Sequence, residues 1–114
     1  MALNPTVENA VNGLLTAAQA DIHTVVASRN DLSITLRLAN TSTSDQYVYI
    51  FIQPSGGTSR PIAQFQLLGK PTGLETGEFA IIPGLKLSAG DKIRGYADTT
   101  SVVVWSIEYA QETQ

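Results

Sequence analysis

The sequence contains no cysteine and a single histidine, His23. Without cysteine the chain forms neither a disulfide nor a thiolate metal site. Zinc needs at least three protein ligands, and one histidine leaves most of them to carboxylates. Calcium needs only oxygen ligands, but the spacing of Asp45, Asp91 and Asp98 resembles no known calcium loop. We interpret these as turn and surface carboxylates, and we predict neither a metal site nor a cofactor.

Charged residues are also scarce, at 15% of the chain, where soluble domains average roughly 25%. The net charge is −3, and the seven Lys and Arg residues are scattered along the sequence. Binding of a phosphate backbone requires a basic cluster, so we predict no nucleic-acid partner. The low charge indicates a surface that is partly covered in the working state, or sheet faces of Ser, Thr, Asn and Gln.

Long apolar runs are absent as well, because none approaches the roughly 20 residues that span a bilayer. Residues 1–12 contain Glu8 and no Lys or Arg, so they lack the charged start of a signal peptide. We therefore predict no membrane partner. We expect the protein to stay in the cytoplasm where it is made, or to be built there into something larger.

What the sequence does contain is alternation with a period of two. In residues 32–39 the side chains of Leu32, Ile34, Leu36 and Leu38 face one way, which is typical of a strand with one buried face. Gly, Pro, Asn and Asp corners separate such segments every 8–12 residues or so. We predict an all-β fold, a single antiparallel sandwich or jelly roll of seven to eight short strands.

The predicted domain covers residues 14–110. Residues 1–13 are polar and interrupted by Pro5 and Gly13, so we expect an extended N-terminal arm, and residues 111–114 form a polar tail. Residues 14–20 suit a short helix or a first strand equally. No segment supplies the long helical crossovers that a parallel sheet requires.

Residues 47–53 carry apolar side chains on both strand faces. If Val48, Ile50 and Ile52 enter the core, three aromatic residues lie on the opposite face, namely Tyr47, Tyr49 and Phe51. Such a stripe is core for a second sheet, a protein interface or a platform for sugars. Trp105 shares a face with Val103 and Ile107, and we place it in the core.

We predict no catalytic residue. A catalytic triad would have to be built on His23, whose neighbour at two residues' distance, Asp21, lies on the same strand face. Glu75 and Glu78 have the residue type of a glycosidase pair, but three residues apart in a Gly-rich loop they are weak candidates. A small jelly-roll glycan hydrolase is the enzyme alternative.

Two segments carry a resemblance to a known group of proteins. The first is Ile34 to Ser42, a strand that ends in Ala39-Asn40-Thr41-Ser42. The second joins Gly84 to Ile93, with the turn Ala89-Gly90-Asp91, to the strand from Val102 to Tyr109. This order of strands and turns resembles that of small β-sandwich proteins of tailed bacteriophage virions, and the resemblance covers residues 20–109 or so. The resemblance implies a non-enzymatic structural role and carries over no functional residue.

From these observations we expect a capsid decoration or cement protein that stabilises the shell through oligomeric contacts. Its partners are then the major capsid protein and copies of itself, and its location is the virion, assembled in the bacterial cytoplasm. The alternative is a tail or tail-fibre component, or a carbohydrate-binding module for a host receptor. The interface candidates are Leu3, Pro5, Val7 and Val11 in the arm, and Tyr47, Tyr49 and Phe51.

Overall fold

The computed structural model describes residues 6–113, with side chains described from residue 10 to residue 112. Within this range the regular structure is entirely β. The eight strands are β1 (Thr6–Leu14), β2 (Ala20–Thr24), β3 (Arg29–Asn40), β4 (Gln46–Gln53), β5 (Arg60–Leu67), β6 (Phe79–Ser88), β7 (Lys92–Ala97) and β8 (Val103–Thr113). The predicted all-β class is confirmed. Residues 15–19, where a helix or a strand was open, form the connection between β1 and β2.

The strands form two antiparallel sheets of four strands each. Sheet A has the order β1-β8-β3-β6, and sheet B has the order β2-β7-β4-β5. The pairs β1–β8, β2–β7, β3–β6 and β4–β5 are nested, so the chain resembles one long hairpin folded over on itself. This order, with successive hairpin layers shared between two sheets, is that of a jelly roll, as predicted.

The core lies between the two sheets. Alternation along the strands sends the apolar side chains of both inner faces into this layer, where Leu36, Val48 and Ile50 are fully buried. Ile52 and Trp105 pack against this core from its periphery. The predicted inward faces of β4 and β8 are therefore confirmed. Among the residues whose side chains are described, the remaining buried apolar ones are Leu15, Ile22, Val25, Ile34, Leu38, Leu67, Leu87, Ile93, Ala97, Val103 and Ile107.

A bulge in β3 changes one expected position. Ser33 has a positive φ of 52°, and the pairing of β3 with β8 shifts between Leu32 and Thr35. An extra residue in one strand reverses the alternation beyond it. As a result Asp31 is fully buried, while Leu32, expected on the core face with Ile34, is only half-buried.

The expected arm and tail differ from the structure. Residues 6–13 belong to β1, which pairs with β8 along its whole length. Residues 111–113 belong to β8. The polar composition of residues 6–13 is compatible with a sheet because β1 is an outer strand, which needs only one neighbour and presents much of its surface to water. Residues 111 and 112 are held between β1 and β3 by main-chain pairing on both sides. The arm candidates Leu3 and Pro5 lie outside the described residues.

One end of the sandwich is fastened by Asn40, the fully buried last residue of β3. Its Nδ2 donates to the carbonyls of Ser44, at 2.8 Å, and of Leu67, at 2.9 Å. Its Oδ1 accepts the amide hydrogen of Ser42 at 2.9 Å. Asn40 thus joins sheet A to the end of β5 in sheet B. The loop of residues 68–78 is held beside it, since the amide of Gly77 donates to the Asn40 carbonyl.

Candidate interaction surfaces

The only histidine takes part in a buried polar cluster between the sheets. His23 Nε2 lies 2.5 Å from Oδ2 of Asp31, and Gln111 donates to the other oxygen of that carboxylate at 3.1 Å. The Tyr109 ring lies 4.6 Å from the imidazole. Burial, and then the Asp31 charge, raise the pKa of Tyr109. The cluster joins three strands, because His23 lies in β2, Asp31 in β3 and Gln111 in β8.

The carboxylates considered at the sequence level have other partners. Asp21, which the sequence placed on the same strand face as His23, forms ion pairs with Lys92 and Arg94 at 3.2 and 2.7 Å. Glu78, which directly precedes β6, accepts a hydrogen bond from the amide of Leu68, which directly follows β5. Within the described range no group of three or more His, Asp or Glu side chains is arranged to hold a metal ion. The same range contains no helix long and apolar enough to cross a membrane.

The outer face of sheet B carries the predicted aromatic residues. Tyr47 is 46% exposed, and Tyr49 and Phe51 are half-buried on the same face. The structure adds Tyr96 of β7, whose ring stacks on Tyr49 with centroids 4.4 Å apart and on Phe51 at 6.0 Å. Tyr96 was missed because its position beside Tyr49 depends on the pairing of β4 with β7.

This stacking changes what the aromatic surface offers. The nearly parallel rings of Tyr49, Phe51 and Tyr96 cover part of one another's faces. A sugar that stacks on an aromatic side chain needs an uncovered ring face. Partial desolvation, with the nearby Asp98 carboxylate second, raises the pKa of Tyr49. The aromatic set therefore acts first as a cross-strand contact within sheet B. Of these four aromatic residues, Tyr47 is the most exposed to solvent.

The outer face of sheet A carries an apolar row that crosses all four strands. Leu14 pairs with Val104, Val104 with Ala39, and Ala39 with Phe79. Leu14 is 50% exposed and Phe79 is 66% exposed. The neighbouring β6 residue on this face, Ile81, is 48% exposed. We call these five residues the sheet A patch.

Part of the sheet A patch lies in an open depression of about 290 Å³. Ala39, Val104 and Phe79 of the patch line it together with Arg37 and Thr76. Arg37 also pairs with Glu108 on the same face. An exposed apolar patch with a polar margin is typical of a protein contact surface. Sequence reasoning missed it, because its members are distant along the chain.

A second depression lies between the sheets at the β1 and β2 edge. It has a volume of about 230 Å³, and Leu14, Ile22 and Trp105 are among its lining residues. Gly13 lies against the indole, so that a Cβ at this position would be 2.7 Å from Trp105 Cζ2. Glycine is therefore required here by the close approach of the ring.

The predicted interface residues that the structure describes occupy two separate regions. Tyr47, Tyr49 and Phe51 lie on the outer face of sheet B. Val7 and Val11 belong to β1 at the edge of sheet A, and Val11 is 39% exposed. The structure therefore does not gather the candidates into one surface.

No family model and no curated protein matches the sequence. Among solved structures it is similar to a protein of Bacillus endospore appendages, described as forming a novel family of disulfide-linked pili. The TM-score is 0.55 at 14% identity, over 98% of this chain and 91% of that one. At this identity the similarity shows a shared fold.

Two further structures are similar over a minor part of their own length. An exo-beta-1,3-galactanase from Phanerochaete chrysosporium gives a TM-score of 0.41 at 13% identity, over 95% of this chain and 30% of that one. A structure of infectious bursal disease virus, Gt strain, gives 0.30 at 14% identity, over 97% and 30%.

Proposed function

We propose that this chain is a non-enzymatic structural subunit of a bacteriophage virion, and in particular a capsid decoration protein that stabilises the shell. The observation that carries the proposal is the sheet A patch, an apolar row across the outer face of a four-stranded sheet. The virion assignment is supported by the sequence resemblance through Ala39 to Ser42 and Ala89 to Asp91.

The fold is compatible with a subunit of a repeated assembly. The similar Bacillus protein belongs to appendages that form pili, described as disulfide-linked. This chain has no cysteine, so no disulfide joins it to its copies or partners, and in this proposal non-covalent surfaces hold them. A patch on a sheet that packs against a buried apolar core is pre-organised for binding, which lowers the entropic cost of association.

The proposed partners are the major capsid protein and further copies of this chain. Many symmetric contacts of modest strength combine through avidity to resist internal pressure. In this proposal Leu14, Phe79 and Ile81 meet the shell, and the protein is located in the virion after assembly in the bacterial cytoplasm.

The test is co-sedimentation of the purified chain with mature capsids and, separately, with unassembled coat subunits. We expect binding to the capsids alone. Replacing Phe79 with serine should weaken binding roughly ten- to thirtyfold, because about 1.5–2 kcal/mol of apolar burial is lost at each contact. The fold should be unaffected, since the side chain is 66% exposed.

The matched control is Ile62→Ser, which removes an exposed apolar side chain from β5 in sheet B. It should leave capsid binding unchanged. Failure of the chain to sediment with mature capsids would refute the decoration role, and equal losses for both variants would remove the sheet A patch from it. Binding to host-cell glycans instead would favour the tail or receptor alternative.

A further inference from the structure

Among the residues that the structure describes, the first strand, β1, leaves one edge of sheet A open. Within residues 6–113, β8 is the strand that pairs with β1, and their register runs without interruption from Thr6 to Leu14. β1 contains no proline or lysine, and Glu8 is its only charged residue. An unpaired, regular edge of this kind is a template for another strand.

The other three edges are interrupted in ways that oppose pairing. β6 contains Pro83 and Lys86 and a shift in its pairing with β3. β5 begins with Arg60 and Pro61 and has a shift opposite Phe51. β2 is five residues long and contains a bulge after Asp21. Proline, lysine, bulges and short length are the devices that protect sheet edges, so only β1 among these four lacks them.

The hydrogen bond that directly follows β1 shows which main-chain groups of this strand face away from β8. The Leu15 amide donates to the Val103 carbonyl at 2.9 Å, so residue 15 faces β8. Antiparallel ladders alternate, and the pairing of β1 has no shift. The N–H and C=O groups of Leu14, Asn12 and Ala10 therefore point away from β8, as do those of residues 8 and 6.

The open edge adjoins the depression that contains Trp105. Leu14 and Gly13 form part of its wall, and Ala10, Val11 and Asn12 of the same strand are exposed. A free main-chain edge beside an apolar depression is the combination that strand addition uses, with the main chain providing affinity and the depression providing selectivity.

We propose that β1 pairs antiparallel with β1 of a second copy of this chain, around a two-fold axis at Ala10. In this register every residue of the nine-residue strand has a partner. Outward-facing residues meet one another, which allows about ten main-chain hydrogen bonds. Glu8 lies opposite Asn12 of the second copy, so the strand's single charge does not face its equivalent.

A second copy fits this edge better than a strand of another kind because the strand is complementary to itself. Two-fold pairing consumes the open edge of both molecules, so association closes at a dimer and does not continue into fibres. The result is a continuous sheet of eight strands with the sheet A patches of both copies on one face. The inference rests on the proposed role as an assembly subunit, and its test uses no capsids.

The test is sedimentation equilibrium of the purified full chain over a wide concentration range. We expect a monomer–dimer equilibrium. Ala10→Pro should raise the dissociation constant at least tenfold, because proline removes the amide hydrogen that faces the second copy and leaves the β8 ladder intact. Asn12→Lys should lower the dissociation constant severalfold, since the proposed register places position 12 opposite Glu8 of the second copy, and salt should abolish this gain.

Thermal unfolding shows whether Ala10→Pro remains folded. If it does not, Ala10→Lys replaces it, since two lysines at the axis repel each other without touching the fold. Ile62→Lys, at the far side of sheet B, is the control and should dimerise normally. A chain that stays monomeric, or a dimer indifferent to both Ala10 and Asn12 variants, overturns the inference. Dimers without capsid binding would refute the decoration role alone.

Discussion

Replacing Asn40 with alanine tests whether the two sheets are joined at this end as described. The variant removes donors to the carbonyls of Ser44 and Leu67 and the acceptor for the Ser42 amide. Each hydrogen bond contributes about 1 kcal/mol net, and a buried group left unsatisfied costs roughly 1–3 kcal/mol. Because Asn40 is fully buried, water does not replace these partners without rearrangement.

We therefore expect Asn40→Ala to lower the free energy of unfolding by about 2–4 kcal/mol, from the sum of these contributions. For a domain of this size the corresponding fall in Tm is roughly 8–16 °C, at about 4 °C per kcal/mol. Asn40→Asp should be at least as damaging, because it keeps the acceptor but sets a buried carboxylate against two carbonyl oxygens.

The assay is urea unfolding followed by Trp105 fluorescence, with Tm from calorimetry. Thr43→Ala, an exposed change in the loop that Asn40 binds, is the control and should change stability by less than about 0.5 kcal/mol. If Asn40→Ala matches this control, the hydrogen bonds do not hold the sheets together and the reasoning is refuted.

Three further predictions concern the interior and its polar groups. His23→Ala removes the partner of the buried Asp31 carboxylate and should lower the free energy of unfolding, measured in urea, by about 3–5 kcal/mol. Adding Asp31→Asn should recover part of this loss, and strictly additive effects of the two changes would disprove their coupling. Gly13→Ala should destabilise the protein by about 1–3 kcal/mol, because its Cβ meets Trp105 at 2.7 Å; an unchanged Tm and fluorescence would contradict this contact. The folded-state pKa of Tyr109 is raised above the ordinary value of 10.0, so its contribution to stability is complete below that pH and is lost as the pH rises through the folded pKa. Tyr109→Phe should therefore flatten the fall in stability in alkaline urea titrations, and a parallel fall in both proteins would exclude this role.

The strand pattern was predictable where the alternation is regular. In β4 the sequence sends Val48 and Ile50 inward and Tyr47 outward, and the structure confirms it. The failure occurred in β3, where the bulge at Ser33 substitutes Asp31 for Leu32 on the core face. A bulge leaves little trace in a single sequence, because serine occurs freely in strands and its positive φ is a local conformational choice. The buried polar cluster with His23 follows from that bulge and was missed with it.

Strand β1 was mistaken for an arm because its composition is polar and it contains Gly13. An outer strand is held largely by main-chain pairing, and the apolar pattern that reveals a strand reflects burial. Here the glycine makes room for Trp105 and does not mark a break.

The sheet A patch was out of reach for a different reason. Its row joins Leu14, Val104, Ala39 and Phe79, which become neighbours only through three strand pairings. The alternation around Phe79 and Ile81 predicted a strand, but it did not show that this strand pairs with β3. Surfaces of this kind depend on strand order, and a single sequence does not reveal strand order.

Cryo-microscopy of particles incubated with the purified chain tests the central claim most directly. The proposed function predicts density for the jelly roll at regular positions on the capsid exterior, with Phe79 and Ile81 turned toward the shell. Density confined to the tail, or a bound domain whose outer sheet A face points into solvent, would contradict it.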